Sequence, residues 1–121
     1  MVRNAERRTL LADAAVRVLA QQGSRGLTHR AIDTEAAVPR GTASNYFASR
    51  DEVIDAILLR IGERLQPDPD IHADLAQRPP GVELFTEYLR DIVHRLTGDR
   101  DAAIALFELR LEATRRPHVA E

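Results

Sequence analysis

Apolar residues recur at helical spacing along most of the chain. Between residues 5 and 22 they follow the i, i+3, i+4, i+7 pattern, and charged residues occupy the other side, which predicts an amphipathic helix. The apolar positions are Leu10, Leu11, Ala14, Ala15, Val18 and Leu19. Gly23 then supplies a helix stop. No segment has the two-residue period of a strand, so we expect an all-α fold.

A second long helix is predicted from residue 50 to 65. Ser49 and Glu52 form an S-x-x-E capping box directly before a stripe of isoleucines and leucines, and Pro67 ends the pattern. Residues 67–81 contain four prolines and indicate a linker with at most two helical turns.

Two more helices are predicted in the C-terminal third, over residues 82–97 and 101–115, the second ending before Pro117. The last helix has two nearly opposite apolar faces. One consists of Ile104, Phe107 and Leu111, and the other of Leu106, Leu109 and Ala113. A helix that is apolar on both sides must be covered on both. We therefore expect a partner subunit or further residues to complete its packing.

Two short helices lie between the long ones. Thr28 follows a glycine-containing turn and can cap a helix over residues 28–35. After a turn of about three residues, Pro39 suits the first position of a helix over residues 39–46. These proportions are typical of a helix-turn-helix, whose second helix enters the major groove of DNA.

The second short helix carries side chains suited to DNA. Arg40 lies near its start, where a guanidinium can reach guanine or phosphate, and Gly41 would let the backbone approach the duplex. Thr42, Ser44 and Asn45 can donate or accept hydrogen bonds at base edges or phosphates.

Charge and helix ends add to this pattern. Residues 1–50 carry eight arginines and four acids, net +4, whereas residues 51–121 carry nine arginines and fifteen acids, net −6. The predicted helix starts at Thr28 and Ser49 present free amides that can bind phosphate, and Arg50 adds a positive charge beside the second start. The N-terminal part of the chain is therefore the part suited to a polyanion.

Residues 27–56, LTHRAIDTEAAVPRGTASNYFASRDEVIDA, resemble the DNA-binding domain of the TetR family of bacterial transcriptional regulators. The end of the first helix, QQGSRGLT, resembles that family's first helix and turn. The resemblance implies an all-α homodimer that binds a palindromic operator in double-stranded DNA. It also implies a repressor that responds to a small-molecule effector.

The resemblance further implies a division of the chain. Residues 1–48 would form the helix-turn-helix DNA-binding domain, and 49–66 the connecting helix. Residues 67–81 would be a linker, and 82–121 part of a C-terminal regulatory and dimerisation domain. Because family members commonly have several more helices, we expect this chain to be truncated.

Carried over residue by residue, the family pattern makes Thr28 and Arg50 phosphate contacts and Phe47 part of the core. The recognition helix would then carry Arg40, Gly41, Thr42, Ser44, Asn45 and Tyr46. Among these, Tyr46 is implied to contact the DNA backbone.

Four positions depart from the family pattern. Ala37 replaces the usual glycine of the turn, and because a non-glycine residue in left-handed geometry costs about 1 kcal/mol, we expect a turn of different shape. Pro39 replaces a serine cap, and Ser44 replaces a tyrosine that would contact DNA. Asp33 replaces an alanine beside the groove surface, where a carboxylate facing phosphate would be unfavourable.

Two other classes of protein remain open. An enzyme would need a cluster such as Glu83, Glu87 and His94, but these lie opposite the apolar stripe, where a solvated face is expected. That face would hold the ion pairs Glu87–Arg90 and Asp91–Arg95. No nucleophile motif or metal-ligand spacing occurs, so we expect no enzymatic activity, cofactor or metal. A helical adaptor module without DNA binding would explain the two-faced last helix, but not residues 38–50.

The chain has no cysteine, so disulfides and cysteine metal sites are excluded. Its N-terminus lacks a continuous apolar stretch of signal or transmembrane length, because arginines and acids interrupt it. We therefore expect a soluble cytoplasmic protein without a membrane partner.

Overall fold

The computed structural model describes residues 2–115, with side chains from residue 4 onward. Within this range the chain forms seven helices and no strand, which confirms the predicted all-α fold. They are α1 (Val2–Gly26), α2 (His29–Ala36), α3 (Thr42–Tyr46), α4 (Arg50–Arg64), α5 (Pro69–Ala76), α6 (Val82–Gly98) and α7 (Arg100–Ala113). None of these helices is long and apolar enough to cross a membrane. Pro117, predicted to limit the last helix, lies outside the described residues.

The helix starts follow the predicted capping signals. The Thr28 hydroxyl accepts a hydrogen bond from the Ala31 amide at 3.0 Å, and the Ser49 hydroxyl accepts one from the Glu52 amide at 3.2 Å. Both satisfy amides that have no partner within their own helix. Gly23 breaks the helical geometry of α1 (φ 75°, ψ −176°) where the stop was predicted, and one further turn leads to α2.

The core lies around α1, which packs against α2, α4 and α7. α1 contributes its predicted apolar stripe except for Leu10, which is 41% exposed, and small alanines of α7 pack against it. The buried core residues of these helices include Leu11, Ala14, Ala15, Val18, Leu19, Ile54, Ile57, Ile61, Ala102, Ala105 and Leu109. α1 thus joins the short helices on one side to the C-terminal helices on the other.

The two apolar faces of α7 have different surroundings. Leu109 is buried against the core, whereas Phe107 and Leu111 on the other face are about 60% exposed. α6 packs against α7 and α5, but none of its residues is buried. Its exposed apolar side chains are Val82, Phe85, Leu89, Ile92 and Val93. Within residues 2–115, the chain therefore covers the Leu109 face of α7, while on the other face Ile104 is half-buried and Phe107 and Leu111 remain in solvent.

The turn between α2 and α3 keeps left-handed geometry despite its lack of glycine. Ala37 has φ 56° and ψ 45°, and its amide donates a hydrogen bond to the Thr34 carbonyl at 3.2 Å. The expectation of a differently shaped turn is therefore wrong. Alanine tolerates this conformation at a cost of about 1 kcal/mol, which the hydrogen bonds of the surrounding turn offset.

An ionic network ties α4 to α1 and α7. The Arg60 Nε lies 2.6 Å from an Asp13 oxygen, and the Arg64 Nη2 lies 2.7 Å from an Asp99 oxygen. The Arg64 Nη1 also approaches Asp13 at 3.4 Å. The hydrogen bond from Arg64 is the main reason why the pKa of Asp99 lies below its ordinary value, and Asp99 likewise raises the pKa of Arg64. The network fixes the C-terminal end of α4 against α1 and against the start of α7.

This network predicts a pH-dependent contribution to stability. The pKa of Asp99 is lower in the folded chain than in the unfolded one. Its contribution is therefore present above the unfolded-state pKa and is lost as the pH falls through the lowered value. We expect Asp99→Asn to lower the free energy of unfolding at pH 7 by about 1 kcal/mol. Below about pH 4 the variant should lose less further stability than the wild type.

Urea unfolding at a series of pH values measures this effect. Asp74→Asn is the control. Asp74 forms an exposed ion pair with Arg78, four residues later, and pairs at this spacing stabilise by only about 0.2–0.5 kcal/mol. If the free energy of unfolding changed with pH in the same way for the wild type and Asp99→Asn, the prediction would be contradicted.

Candidate nucleic-acid interface

The predicted recognition helix is shorter than its sequence pattern indicated. α3 spans only Thr42–Tyr46, so the expectation that Pro39 occupies its first position is wrong. Residues 39–41 form a turn instead, in which the Thr42 amide donates to the Pro39 carbonyl at 3.1 Å. Gly41 has φ 96°, a conformation that favours glycine. A Cβ at Gly41 would meet no atom within 4 Å, so within this chain its backbone angle, rather than lack of space, calls for glycine.

Asp33 on α2 caps this short helix. Its carboxylate accepts hydrogen bonds from the Gly41 amide at 2.8 Å and the Ala43 amide at 2.7 Å. The residue is 4% exposed, so its charge faces the interior and not the groove surface. Gly41, the N-cap residue of α3, has no side chain to cap the helix, and Asp33 satisfies two of the amides at this end instead. Sequence reasoning missed this role, although the absence of a local cap before α3 was a signal that a distant acceptor was needed.

The other end of α3 is also held by residues from outside it. The His29 Nε2–H donates to the Phe47 carbonyl at 2.8 Å. The Arg8 guanidinium lies 5.2 Å from the Phe47 ring centre and 5.8 Å from that of Tyr46. Phe47 is 1% exposed, which confirms its predicted place in the core. These contacts fix α3 between α1 and α2.

The outward side of this segment is polar. Arg40, Ser44 and Asn45 are exposed, while Thr42 and Tyr46 are half-buried. The Thr42 hydroxyl donates to the Pro39 carbonyl at 2.6 Å, which leaves its oxygen free to accept. We call these five residues the α3 face. Ala43 points into the core, so α3 presents one polar side and one apolar side.

The two predicted phosphate contacts differ in their surroundings. Thr28 is exposed at the start of α2 and caps that helix. The Arg50 guanidinium, in contrast, donates to the Leu27 carbonyl at 2.7 Å and to the Ser24 carbonyl at 2.9 Å. It also lies 3.5 Å from a Glu112 oxygen on α7. Thr28 is therefore open to solvent at the start of α2, whereas the Arg50 guanidinium is engaged by other parts of the chain.

The expectation of a solvated polar face on α6 is only partly correct, because the Asp91 side chain is 9% exposed and lies 3.4 Å from His72 on α5. Glu87 pairs with Arg90 at 3.7 Å and Asp91 with Arg95 at 3.0 Å, which confirms both predicted pairs. No group of three metal-binding side chains occurs in the part of the chain that the structure describes.

The Asp33 cap predicts the behaviour of two amides. Asp33→Ala removes both acceptors from buried donors, so we expect a loss of about 1–3 kcal/mol in the free energy of unfolding. Hydrogen exchange at the Gly41 and Ala43 amides should accelerate more than at the amides of α4. Glu35→Ala is the matched control on the same helix, because it removes only a partly exposed ion pair with Arg17. Unchanged exchange at Gly41 and Ala43 in Asp33→Ala would contradict the assignment of the cap.

Two family models match the chain. The model described as "Bacterial regulatory proteins, tetR family" matches residues 11–57, which include α2, α3 and most of the core. The model described as "Tetracyclin repressor-like, C-terminal domain" matches residues 80–121. Together they cover the helices on both sides of α5.

Curated relatives support the same assignment. The HTH-type transcriptional regulator UidR of Escherichia coli (strain K12) is 27% identical over 118 residues, which cover 93% of this chain and 55% of that protein. UidR of Shigella flexneri matches to the same extent. The chain thus spans about half the length of the curated relatives it matches.

Solved structures agree in fold. The multidrug binding protein EbrR complexed with imidazole is 36% identical, with a TM-score of 0.71 over 94% of this chain and 63% of that one. EbrR complexed with ethidium is 34% identical, with a TM-score of 0.67 over 93% of this chain and 64% of that one. Matching sequence at both ends and a matching arrangement of helices point to one family of regulators rather than enzymes. The chain belongs to the TetR family of bacterial transcriptional regulators.

Proposed function

We propose that this chain forms the operator-binding part of a ligand-responsive repressor, with α3 lying in the major groove of DNA. The observation that carries the proposal is the α3 face, a polar surface formed by Arg40 in the preceding turn and by a five-residue helix held at both ends by other elements. A helix of this length gains nothing for the core from exposed Arg40, Ser44 and Asn45. An immobilised polar surface is what readout of base edges requires.

Six of the eight predicted contacts have a proposed role in direct binding. Arg40 reads guanine or binds phosphate, and Ser44 and Asn45 bind base edges or phosphates. Thr42 acts likewise and can also place its methyl group against a thymine methyl. Tyr46 contacts the DNA backbone, and Thr28 binds phosphate beside the free amides at the start of α2.

Two further features support a DNA partner. The net charge of +4 over residues 1–50 favours approach to a polyanion, whereas residues 51–121 carry −6. The turn before α3 contains Gly41, which leaves the backbone uncovered on the side of the α3 face. The proposed DNA-binding domain therefore has the charge distribution that the proposed geometry needs.

We propose a homodimer as the functional assembly. Two copies of α3 would enter successive major grooves of a palindromic operator, about 34 Å or a multiple of it apart. The exposed apolar residues of α6 and α7 leave surface that a full-length dimer would bury.

The proposed effector is a planar aromatic cation. EbrR is described in complexes with ethidium and with proflavin, which are both of this chemical class. The acidic C-terminal part and the exposed Phe85 and Phe107 suit such a ligand through charge and aromatic contact. Its binding would alter the separation of the two α3 helices through α4, with a coupling free energy of about 1–3 kcal/mol.

Arg40→Ala tests base readout by the α3 face. If Arg40 reads a base, the variant should bind the operator-containing duplex about 1–3 kcal/mol more weakly and bind a random duplex nearly unchanged. Fluorescence anisotropy with both duplexes at one salt concentration measures the two affinities. Arg90→Ala is the control, because Arg90 is an exposed arginine on α6, away from the α3 face.

The outcomes separate the candidate functions. An equal loss on both duplexes would make Arg40 a phosphate contact and contradict base readout. If the wild type bound no duplex even at low salt, a helical adaptor module would become the better assignment.

Proflavin tests the effector class. We expect saturable quenching of its fluorescence by the protein and a weaker affinity of the protein for its operator when proflavin is bound. Saturable binding that leaves operator affinity unchanged would contradict the proposed regulation.

A further inference from the structure

Arg50 connects three separate parts of the fold. It is the first residue of α4, and its guanidinium donates to the carbonyls of Leu27 and Ser24 and to the Ser24 hydroxyl at 3.0 Å. Its Nε lies 3.5 Å from Glu112 on α7. One side chain therefore joins the start of α4, the end of α1 and the C-terminal half of α7.

Glu112 on α7 is the acidic partner in this group of contacts. Its side chain is only 11% exposed, and its second oxygen accepts a hydrogen bond from the Ser24 hydroxyl. Ser24 directly follows Gly23, the non-helical residue within α1. The carboxylate of α7 therefore reaches the break in α1 and the cation at the start of α4 together.

The position of Arg50 gives this contact a consequence for DNA binding. Arg50 and Thr28 line one small cavity of about 220 Å³, together with Leu27, His29 and Val53. Thr28 is exposed there as a proposed phosphate contact. A positive charge beside that phosphate position is thus paired with an acid, and a nearby opposite charge weakens its attraction for another anion.

We propose that Glu112 is an autoinhibitory residue, which holds Arg50 away from DNA phosphate until α7 moves. The inference rests on the proposed DNA-binding function. In the observed arrangement Arg50 faces Ser24, Leu27 and Glu112. When α7 shifts, the ion pair breaks, and the guanidinium keeps only its hydrogen bonds to Leu27 and Ser24, which it exchanges for a phosphate beside Thr28. The position of α7 therefore sets the number of phosphate contacts directly, in addition to any tilt of α4.

The salt dependence of binding to a random duplex tests this proposal. In the full-length protein, Glu112→Gln keeps the size of the side chain and an acceptor for Ser24, but removes the negative charge that pairs with Arg50. One added phosphate contact should steepen the slope of log K against log salt by about 0.9. The double variant Glu112→Gln with Arg50→Gln should lose that gain.

Glu108→Gln is the matched control. Glu108 lies one turn earlier on α7 and also faces Gly23, so it tests whether loss of any acid near this break has the same effect. We expect Glu108→Gln to leave the slope at the wild-type value. Equal steepening in both single variants, or in the double variant, would overturn a specific role for Arg50.

The single variant Arg50→Gln decides the matter if Glu112→Gln does not fold. A paired Arg50 contributes no phosphate contact in the wild type, so its removal should leave the slope unchanged. A fall of about 0.9 in the slope would overturn the proposal and show that Arg50 contacts phosphate without release.

If the wild type binds DNA and Glu112→Gln has the same slope, the inference fails while the proposed function stands. Failure of the wild type to bind any duplex at low salt overturns both.

Discussion

A five-residue helix cannot maintain itself in water, and the proposed interface depends on the contacts that hold α3. Helix nucleation is unfavourable, and so short a helix has more unsatisfied backbone groups at its ends than internal hydrogen bonds. Asp33 satisfies two amides at the start of α3, while His29 binds the carbonyl that follows it. Ala43 and Phe47 fasten its inner side to the core. Because these contacts hold α3, its outward side chains are not needed for stability and can serve binding.

The same constraint explains which features the sequence predicted. Thr28 and Ser49 cap helices within three residues of themselves, so local patterns were enough to locate them. The apolar stripes of α1 and α4 were largely predictable from periodicity, and the buried Phe47 from the family resemblance, whereas the apolar stripe of α6 is exposed within the described residues. In contrast, the cap of α3 comes from Asp33 on another helix. Local rules had favoured Pro39 as the helix start, and tertiary hydrogen bonding moved that start to Thr42.

The sequence predicted the partner of a charged residue when both lie on one helix, but not when the partner lies on another helix. The pairs Glu87–Arg90 and Asp91–Arg95 follow from helical spacing and are present. Arg50 was expected to face phosphate because it begins a helix, yet its partners are Ser24, Leu27 and Glu112. Those partners come from α7 and the end of α1, and only the packing of α7 against α1 brings them together. The described chain thus links its N-terminal helices to α7 through ionic contacts at both ends of α4, with Arg50 at the start and Arg64 at the end.

Methylation protection of guanine N7 tests the placement of α3 in the major groove most directly, since that atom is exposed only there. With the full-length protein bound to its own upstream region, we predict two groups of protected guanines about one helical turn or a multiple of it apart. Protection at the guanine nearest each half-site centre should disappear in Arg40→Ala. Tight binding with every guanine N7 as reactive as in free DNA would contradict the placement of α3 in the major groove.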